Sequence, residues 1–189
     1  MKVPLLFSRL VNKRKKASTA NYKAKNPGAS GPHDVDYNLP YFHQHLVNEC
    51  SEMSFTMLIG YYYPDKVVPN DAKRRGSFEG VDPHDLYISL VGNYPNLRSD
   101  FFRKITLEYV SKILKDNGPF VCSGDFARLL AFTKIRAGHT IVVKGIYGDK
   151  VIINDPWHGK DRYKSIDWFS ALVDRNGGYF YIDEPSLRH

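Results

Sequence analysis

The stretch HQHLVNECSEMSFTMLIGYYY, residues 43–63, runs from a polar loop into an apolar segment and carries Cys50 at the junction. Residues 51–62 are apolar on nearly every face of a helix and stop before Pro64, so they predict a central, buried helix. The dipole and the unpaired N–H groups at the start of a helix favour a thiolate. Cys50 is therefore a candidate nucleophile, and Gln44 precedes it by six positions.

Charge is distributed unevenly along the 189 residues, whose net charge is +7. Residues 1–33 hold eight lysines or arginines and no acid, whereas the remainder holds 19 basic and 20 acidic groups. The first 33 residues lack the apolar content to order themselves, so they predict a flexible basic tail or linker before one folded domain, residues 34–189. Binding of this tail to nucleic acid or anionic lipid is less favoured than a solvated leader or a junction to a delivery module.

The sequence gives no sign of membrane insertion or of a disulfide-stapled scaffold. No run approaches the roughly 18 apolar residues of a membrane span. The apolar core near the start, residues 3–7, is shorter than the roughly 7 to 15 residues of a cleavable secretion signal. A bridge between Cys50 and Cys122 is possible but not demanded, and Cys122 is predicted to be a buried strand residue.

Helices come first along the chain and strands follow. After a polar loop at residues 64–80, VDPHDLYISLVG predicts a helix with Asp82 as its N-cap and Pro83 in its first turn. A further helix is predicted at about residues 103–116, ended by Gly118 and Pro119. The later segments predict strands at PFVCSG, HTIVVKGIYG, KVIINDP and GYFYID, with a short helix at IDWFSALV. This order predicts an α+β domain of two lobes with an antiparallel sheet.

Two of these strands place a histidine near a carboxylate. They are joined at YGDK, a hairpin signal, and carry His139 and Asp155. Pairing about residue 147 would set the two residues opposite each other, about 5 Å apart at Cβ. A carboxylate can then hold one ring nitrogen while the other nitrogen faces a thiol. The neighbouring Asn154 fits the register almost as well but points to the other face of the strand, and only a carboxylate stabilises an imidazolium.

The order of Gln44, Cys50 at a helix start, GHTIVVKG and INDPW resembles the papain-like cysteine protease superfamily. The resemblance covers about residues 40–183 and is closest to the compact bacterial branch, which includes secreted effector proteases and bacteriocin-leader peptidases. It implies a papain-like two-lobe fold, in which a helical lobe with the central catalytic helix packs on a C-terminal antiparallel sheet. It also implies that Cys50 is the nucleophile, His139 the general base and Asp155 the residue orienting it. Gln44 and the N–H of Cys50 would form the oxyanion hole.

The sequence departs from the plant and lysosomal members in three ways. NECSEMS replaces CGSCW around the cysteine, and the third residue is an aspartate rather than an asparagine. The interval from Cys50 to His139 is 89 residues, shorter than the roughly 130 to 150 of papain and the cathepsins. These departures leave the substrate preference more open than the nucleophile.

The resemblance implies a cysteine endopeptidase that needs no cofactor and cleaves a protein substrate. As a bacterial effector or toxin it would leave its cell through a dedicated secretion machine and act in the cytoplasm of a target cell. The producing cell would then need an immunity protein. Two alternatives stay open: a deamidase or transglutaminase-type acyl transferase with the same triad, and an inactive peptide-binding domain of the same fold.

Two further features near the site are ambiguous. Trp157 is predicted to pack beside the triad as a hydrophobic, substrate-binding cover, and an ordinary core role fits equally well. His43 and His45 precede Cys50 in an HxHxxxxC pattern. That pattern lacks a fourth ligand at useful spacing, so no metal site is predicted.

Overall fold

A computed structural model describes residues 34–46, 48–65, 80–125, 138–173, 178–184 and 186. The predicted tail at residues 1–33 and most of the predicted loop at 64–80 lie outside the described residues. The elements in chain order are β1 (Val35–Asp36), α1 (Cys50–Tyr62), α2 (Pro83–Val91), β2 (Leu97–Phe101), α3 (Leu107–Asn117), β3 (Phe120–Asp125), β4 (Gly138–Tyr147), β5 (Lys150–Asp155), β6 (Gly159–Ser165), α4 (Ile166–Leu172) and β7 (Gly178–Ile182).

The strands of the described residues form one antiparallel sheet in the order β2-β7-β3-β4-β5-β6, and the short β1 pairs with β4. Four helices pack on this sheet, which confirms the predicted α+β class. None of the described helices has the length and apolar character needed to cross a bilayer.

The sheet is buried on both faces because neighbouring strand residues belong to different cores. Val121 and Val142 pack with α1, whose Phe55, Met57 and Leu58 are fully buried. The residues next to them in β3 and β4 form a second core with α3 and α4; they include Phe120, Cys122, Ile141 and Val143. The α1 helix therefore lies against one face of the central strands, as the sequence predicts, and its buried side chains hold its N-terminus in place.

The predicted helix at residues 103–116 begins later than expected. Its N-cap is Thr106, whose side chain accepts a hydrogen bond from the N–H of Tyr109 at 3.3 Å. Residues 103–106 are neither helix nor strand, and β2 (Leu97–Phe101) precedes them at one edge of the sheet. Both edge strands, β2 and β6, are mostly polar and exposed, so they lack the apolar alternation by which strands are recognised in a sequence.

The predicted hairpin is present, with Gly148 and Asp149 as a two-residue loop between the paired Tyr147 and Lys150. The predicted pairing about residue 147 is wrong, because the ladder pairs Val142 with Asn154. His139 and Asp155 are therefore not directly opposite each other.

The difference arises at the turn, which lies at Gly148 and Asp149 rather than about residue 147, and a bulge then changes the register by one residue. The β4–β5 pairing shifts between Val143 and Gly145, so Lys144 is the extra residue. Its side chain is buried and forms ion pairs with Asp36 of β1 and, at 2.8 Å, with Asp161 of β6. A lysine at this position fits the fold because a buried ammonium requires charged partners, which two neighbouring strands provide.

Candidate active site

Cys50 is the first residue of α1 and its side chain is almost completely buried. The residue before it, Glu49, accepts hydrogen bonds from the N–H groups of His45 and Leu46, at 2.7 and 3.0 Å. These bonds close the loop that leads into the helix. The thiol is therefore fixed at a helix N-terminus, where the helix dipole favours its anion.

His139 lies between Cys50 and Asp155. Its Nε2 is 2.9 Å from Oδ1 of Asp155, and both side chains are buried. Its ring also forms a hydrogen bond with Cys50. Because Asp155 occupies Nε2, the remaining nitrogen, Nδ1, is the one available to the thiol. Asp155 is the last residue of β5 and lies one residue beyond the last β4–β5 pair, so it reaches the ring diagonally rather than from the opposite position.

The electrostatics of this trio favour an ion pair. Burial alone would raise the pKa of the Cys50 thiol, but the hydrogen bond and positive charge of His139 bring it below its usual value. Burial alone would lower the pKa of His139, yet the hydrogen bonds to Asp155 and Cys50 raise it to about 9. Both shifts therefore favour a thiolate beside an imidazolium over the neutral pair.

Asp155 is held by donors other than His139. Its Oδ1 accepts hydrogen bonds from the backbone N–H groups of Trp157 and His158, at 2.9 and 3.0 Å. Its Oδ2 lies 2.8 Å from Nδ1 of His158. Burial alone would raise the pKa of this carboxyl, but His139 and the two backbone donors keep it well below its usual range. No sequence motif indicates His158, and its one signal is its place three residues after Asp155 in a tight turn.

Asn154 points away from the histidine. Its side-chain Oδ1 accepts a hydrogen bond from the N–H of Asp161 at 3.0 Å, so it supports the junction with β6. Of the two candidates for the third position, the structure brings Asp155 to His139.

Gln44 is buried beside the turn that carries Asp155. Its backbone N–H donates to the carbonyl of Pro156 at 3.0 Å, and its side-chain Nε2 donates to the carbonyl of Leu46 at 2.9 Å. One of the two amide N–H bonds is therefore committed to the loop before Cys50. The other N–H is the one that could serve an oxyanion.

Thr140, the residue after His139, also contacts the nucleophile. Its backbone and its side chain both form hydrogen bonds with Cys50 and lower the pKa of the thiol. Its hydroxyl lies 3.0 Å from that of Ser51, which bonds the carbonyl of Val81 at 2.8 Å. This polar chain links the thiol to the wall of the cleft. No sequence motif indicates Thr140, because the contacts of this residue with α1 depend on tertiary packing.

A cleft of about 440 Å³ opens onto the thiol and the imidazole. Its walls are mostly small residues and backbone; the described lining residues are Cys50, Ser51, Gly80, Val81, Asp82, Pro83, Ser123, Gly124, Gly138, His139 and Thr140. Such a wall suits an extended chain that approaches the thiol closely. The Trp157 side chain does not line this cleft and is 45% exposed, so its predicted substrate contact stays a prediction.

The histidines before Cys50 do not form the pattern of a metal site. His43 and His45 are exposed, and their rings contact each other at 5.9 Å between centroids. In the part of the chain that the structure describes, three potential ligands meet elsewhere, at His139, Asp155 and His158.

The chain matches the family described as "Papain-like cysteine protease AvrRpt2" over residues 33–174, about three quarters of its length. No match is found among curated proteins. The fold is similar to several solved peptidases. A putative C39-like peptidase from Bacillus anthracis has a TM-score of 0.62 at 18% identity, over 80% of this chain and 98% of that one.

Two further structures are similar at the level of the fold. A double glycine motif protease from an AMS/PCAT transporter, solved in complex with the leader peptide, has a TM-score of 0.54 at 22% identity, covering 78% of this chain and 94% of that one. The peptidase domain of Streptococcus ComA has a TM-score of 0.52 at 15% identity, covering 78% and 99%.

Proposed function

Because the chain belongs to the papain-like cysteine protease family of AvrRpt2, we propose that it is an endopeptidase with a Cys50–His139–Asp155 triad. The observation that carries the proposal is that the imidazole contacts both the thiol and the carboxylate. His139 bonds Cys50 on one side and Asp155, at 2.9 Å, on the other. This arrangement favours a thiolate–imidazolium pair before substrate arrives.

The reaction begins when the Cys50 thiolate attacks the carbonyl carbon of a peptide bond. The S–C bond forms, and the carbonyl π electrons move onto the oxygen, which becomes an oxyanion. The backbone N–H of Cys50 and the uncommitted side-chain N–H of Gln44 donate to this oxygen. Loss of one such donor typically costs about 3 to 4 kcal/mol of barrier.

His139 carries the proton through both halves of the reaction. As the C–N bond breaks, the imidazolium gives its proton to the leaving amine and a thioester remains on Cys50. The neutral ring then takes a proton from water, which attacks the thioester and releases the new carboxylate. Asp155 keeps the ring oriented and stabilises its charged form.

The substrate is a protein, bound as an extended segment in the small-walled cleft. The protein acts as a bacterial effector or toxin in the cytoplasm of a target cell, and a cognate immunity protein protects the producing cell.

Residues 1–33 serve as a basic linker and residues 34–189 as the protease domain, which is supported by the start of the family match at residue 33. The near balance of charge outside the basic segment is consistent with this division.

Mass spectrometry of new protein termini tests the proposal. A lysate of candidate target cells is treated with the full chain, with Cys50→Ala or with Cys122→Ala. We expect new N-termini with the parent and with Cys122→Ala, and none with Cys50→Ala. Glutamine-to-glutamate conversion that requires Cys50, without new termini, would identify a deamidase instead and contradict the proposal.

A further inference from the structure

Asp155 contacts two histidines, although the triad requires only one. His139 Nε2 lies 2.9 Å from Oδ1, and His158 Nδ1 lies 2.8 Å from Oδ2. The two imidazole rings meet edge to face, with their centroids 6.2 Å apart. The proteolytic steps use His139 but leave His158 without a role in the chemistry.

We propose that His139, Asp155 and His158 form a site for a borderline transition-metal ion such as Zn²⁺, and that its occupation inhibits the enzyme reversibly. The inhibitory part rests on the proposed function; the metal site itself does not. One ligand atom from each residue lies within 4.8 Å of the other two. Two imidazole nitrogens with one carboxylate oxygen suit Zn²⁺ and disfavour Mg²⁺ and Ca²⁺, which prefer oxygen ligands.

The distances require only a small rearrangement. Zinc bonds of about 2.0 to 2.2 Å in a tetrahedral arrangement separate the ligand atoms by about 3.4 Å. With Oδ2 of Asp155 as the carboxylate ligand, its present 2.8 Å contact with Nδ1 of His158 would open by roughly half an ångström as the ion replaces the shared hydrogen. Nε2 of His139 would exchange its present 2.9 Å bond with Oδ1 for a bond to the ion. The nitrogens of the two rings move closer by rotation of His158, whose side chain is 49% exposed. The exposed side of His158 also admits the ion and a water as fourth ligand.

The groups around these ligands are arranged to support an ion. Oδ1 of Asp155 is held by the backbone N–H groups of Trp157 and His158, which leaves Oδ2 as the less engaged oxygen. The second nitrogen of His139 has Cys50 as its partner. Hydrogen bonds of this kind orient metal-bound carboxylates and imidazoles.

An ion at this position would disable the triad without touching the thiol. Metal coordination at Nε2 removes the hydrogen that His139 shares with Asp155. It also prevents the ring from carrying the charge, and from adopting the position, that proton transfer to the leaving amine requires. A chelator that removes the ion restores the hydrogen bond and the activity.

Zinc binding is measured by competition with a chromophoric chelator and by calorimetry, using the full chain with Cys50→Ala. This background needs no turnover, so the result is independent of the proposed function. We expect binding to persist in Cys50→Ala and to weaken at least about tenfold when His158→Gln is added. His84→Gln, at an exposed histidine of α2 outside the cluster, is the matched control and should leave the affinity unchanged. His158→Asn provides a second variant, and circular dichroism checks that each variant is folded.

Three outcomes would overturn the site. The first is the absence of zinc binding, and the second is equal affinity in both His158 variants and the parent. The third is loss of binding in Cys50→Ala, which would place the ion between the thiol and His139. If the parent cleaves a substrate, micromolar zinc should inhibit it, the chelator EDTA should reverse the inhibition, and His158→Gln should be less sensitive.

Discussion

The two cysteines of this chain occupy regions that differ in polarity rather than in burial. Cys50 is 7% exposed at the start of α1, and Cys122 is fully buried in β3. Burial in the second hydrophobic core raises the pKa of the Cys122 thiol far above its usual value. Burial acts on Cys50 in the same direction, but His139 and Thr140 more than reverse it. The comparison teaches that charge and hydrogen-bond partners, more than depth, distinguish a reactive thiol from an inert one.

The largest effect is expected from replacing Asp155, whose carboxylate supports the difference between the two thiols. Asp155→Ala removes the partner that keeps His139 charged, so the pKa of the Cys50 thiol should rise toward that of Cys122. We expect kcat/KM on a cleaved peptide to fall by about 10⁴, a loss typical for the third triad member. Asn154→Ala, at the adjacent residue that bonds Asp161, is the control and should cost far less. If Asn154→Ala abolishes activity while Asp155→Ala does not, Asp155 is not the third residue.

Gln44 should affect turnover without affecting the thiol. Gln44→Ala removes a donor to the oxyanion, so kcat should fall about 10² to 10³ fold. Thiolate formation precedes the oxyanion, so the alkylation rate of Cys50 should stay the same. Measuring both in one preparation separates the two roles. A variant that loses alkylation as well as turnover would show that Gln44 acts by holding the loop before Cys50.

A rise in pH tests the difference between Cys50 and Cys122, because it removes the positive charge of His139. The pKa of His139 is raised to about 9 in the folded protein, above its usual value of about 6.5. The imidazolium therefore contributes stability that is complete below about pH 6.5 and disappears as the pH rises through about 9. We expect kcat/KM to decline above about pH 9, and the melting temperature of the parent to fall more steeply there than that of His139→Gln. Parallel melting curves would contradict the raised pKa.

The smallest effect is expected from the basic segment. Deletion of residues 1–33 should leave the melting temperature nearly unchanged, because that stretch has little apolar surface to bury. Neither cysteine should change its reactivity. A large loss of stability would place the domain boundary elsewhere. A loss of activity at unchanged stability would instead make the segment a substrate-binding arm.

Much of the site follows from local sequence, and what does not follow depends on tertiary packing. The apolar run after Cys50 fixes α1, and the β-branched runs on either side of YGDK fix the β4–β5 hairpin. The register of that hairpin does not follow, because several residues of IYGDK could form the turn and the pairing selects Gly148 and Asp149. The bulge at Lys144 does not follow either, because its buried side chain depends on ion pairs with distant aspartates.

The roles of Thr140 and His158 depend on the fold in different ways. Thr140 is significant only because α1 packs against β4, where its hydroxyl meets Ser51. His158 is significant because the turn after Asp155 folds its ring back onto the carboxylate. The HxHxxxxC pattern of His43 and His45 does not predict a metal site, and the candidate ligands lie elsewhere in the chain. The candidate ligands are close in space, while His139 lies 16 residues before Asp155 in the sequence.

The most direct test of the central claim is the alkylation rate of each cysteine by iodoacetamide at neutral pH, resolved by mass spectrometry. Each rate is compared with that of the same cysteine in the denaturant-unfolded chain, which supplies the reference for an unperturbed thiol. Cys50 should react faster in the folded protein than in the unfolded chain, and Cys122 should react much more slowly. Equal rates for the two cysteines in the folded protein, or faster labelling of Cys122, would contradict the assignment of Cys50 as the nucleophile.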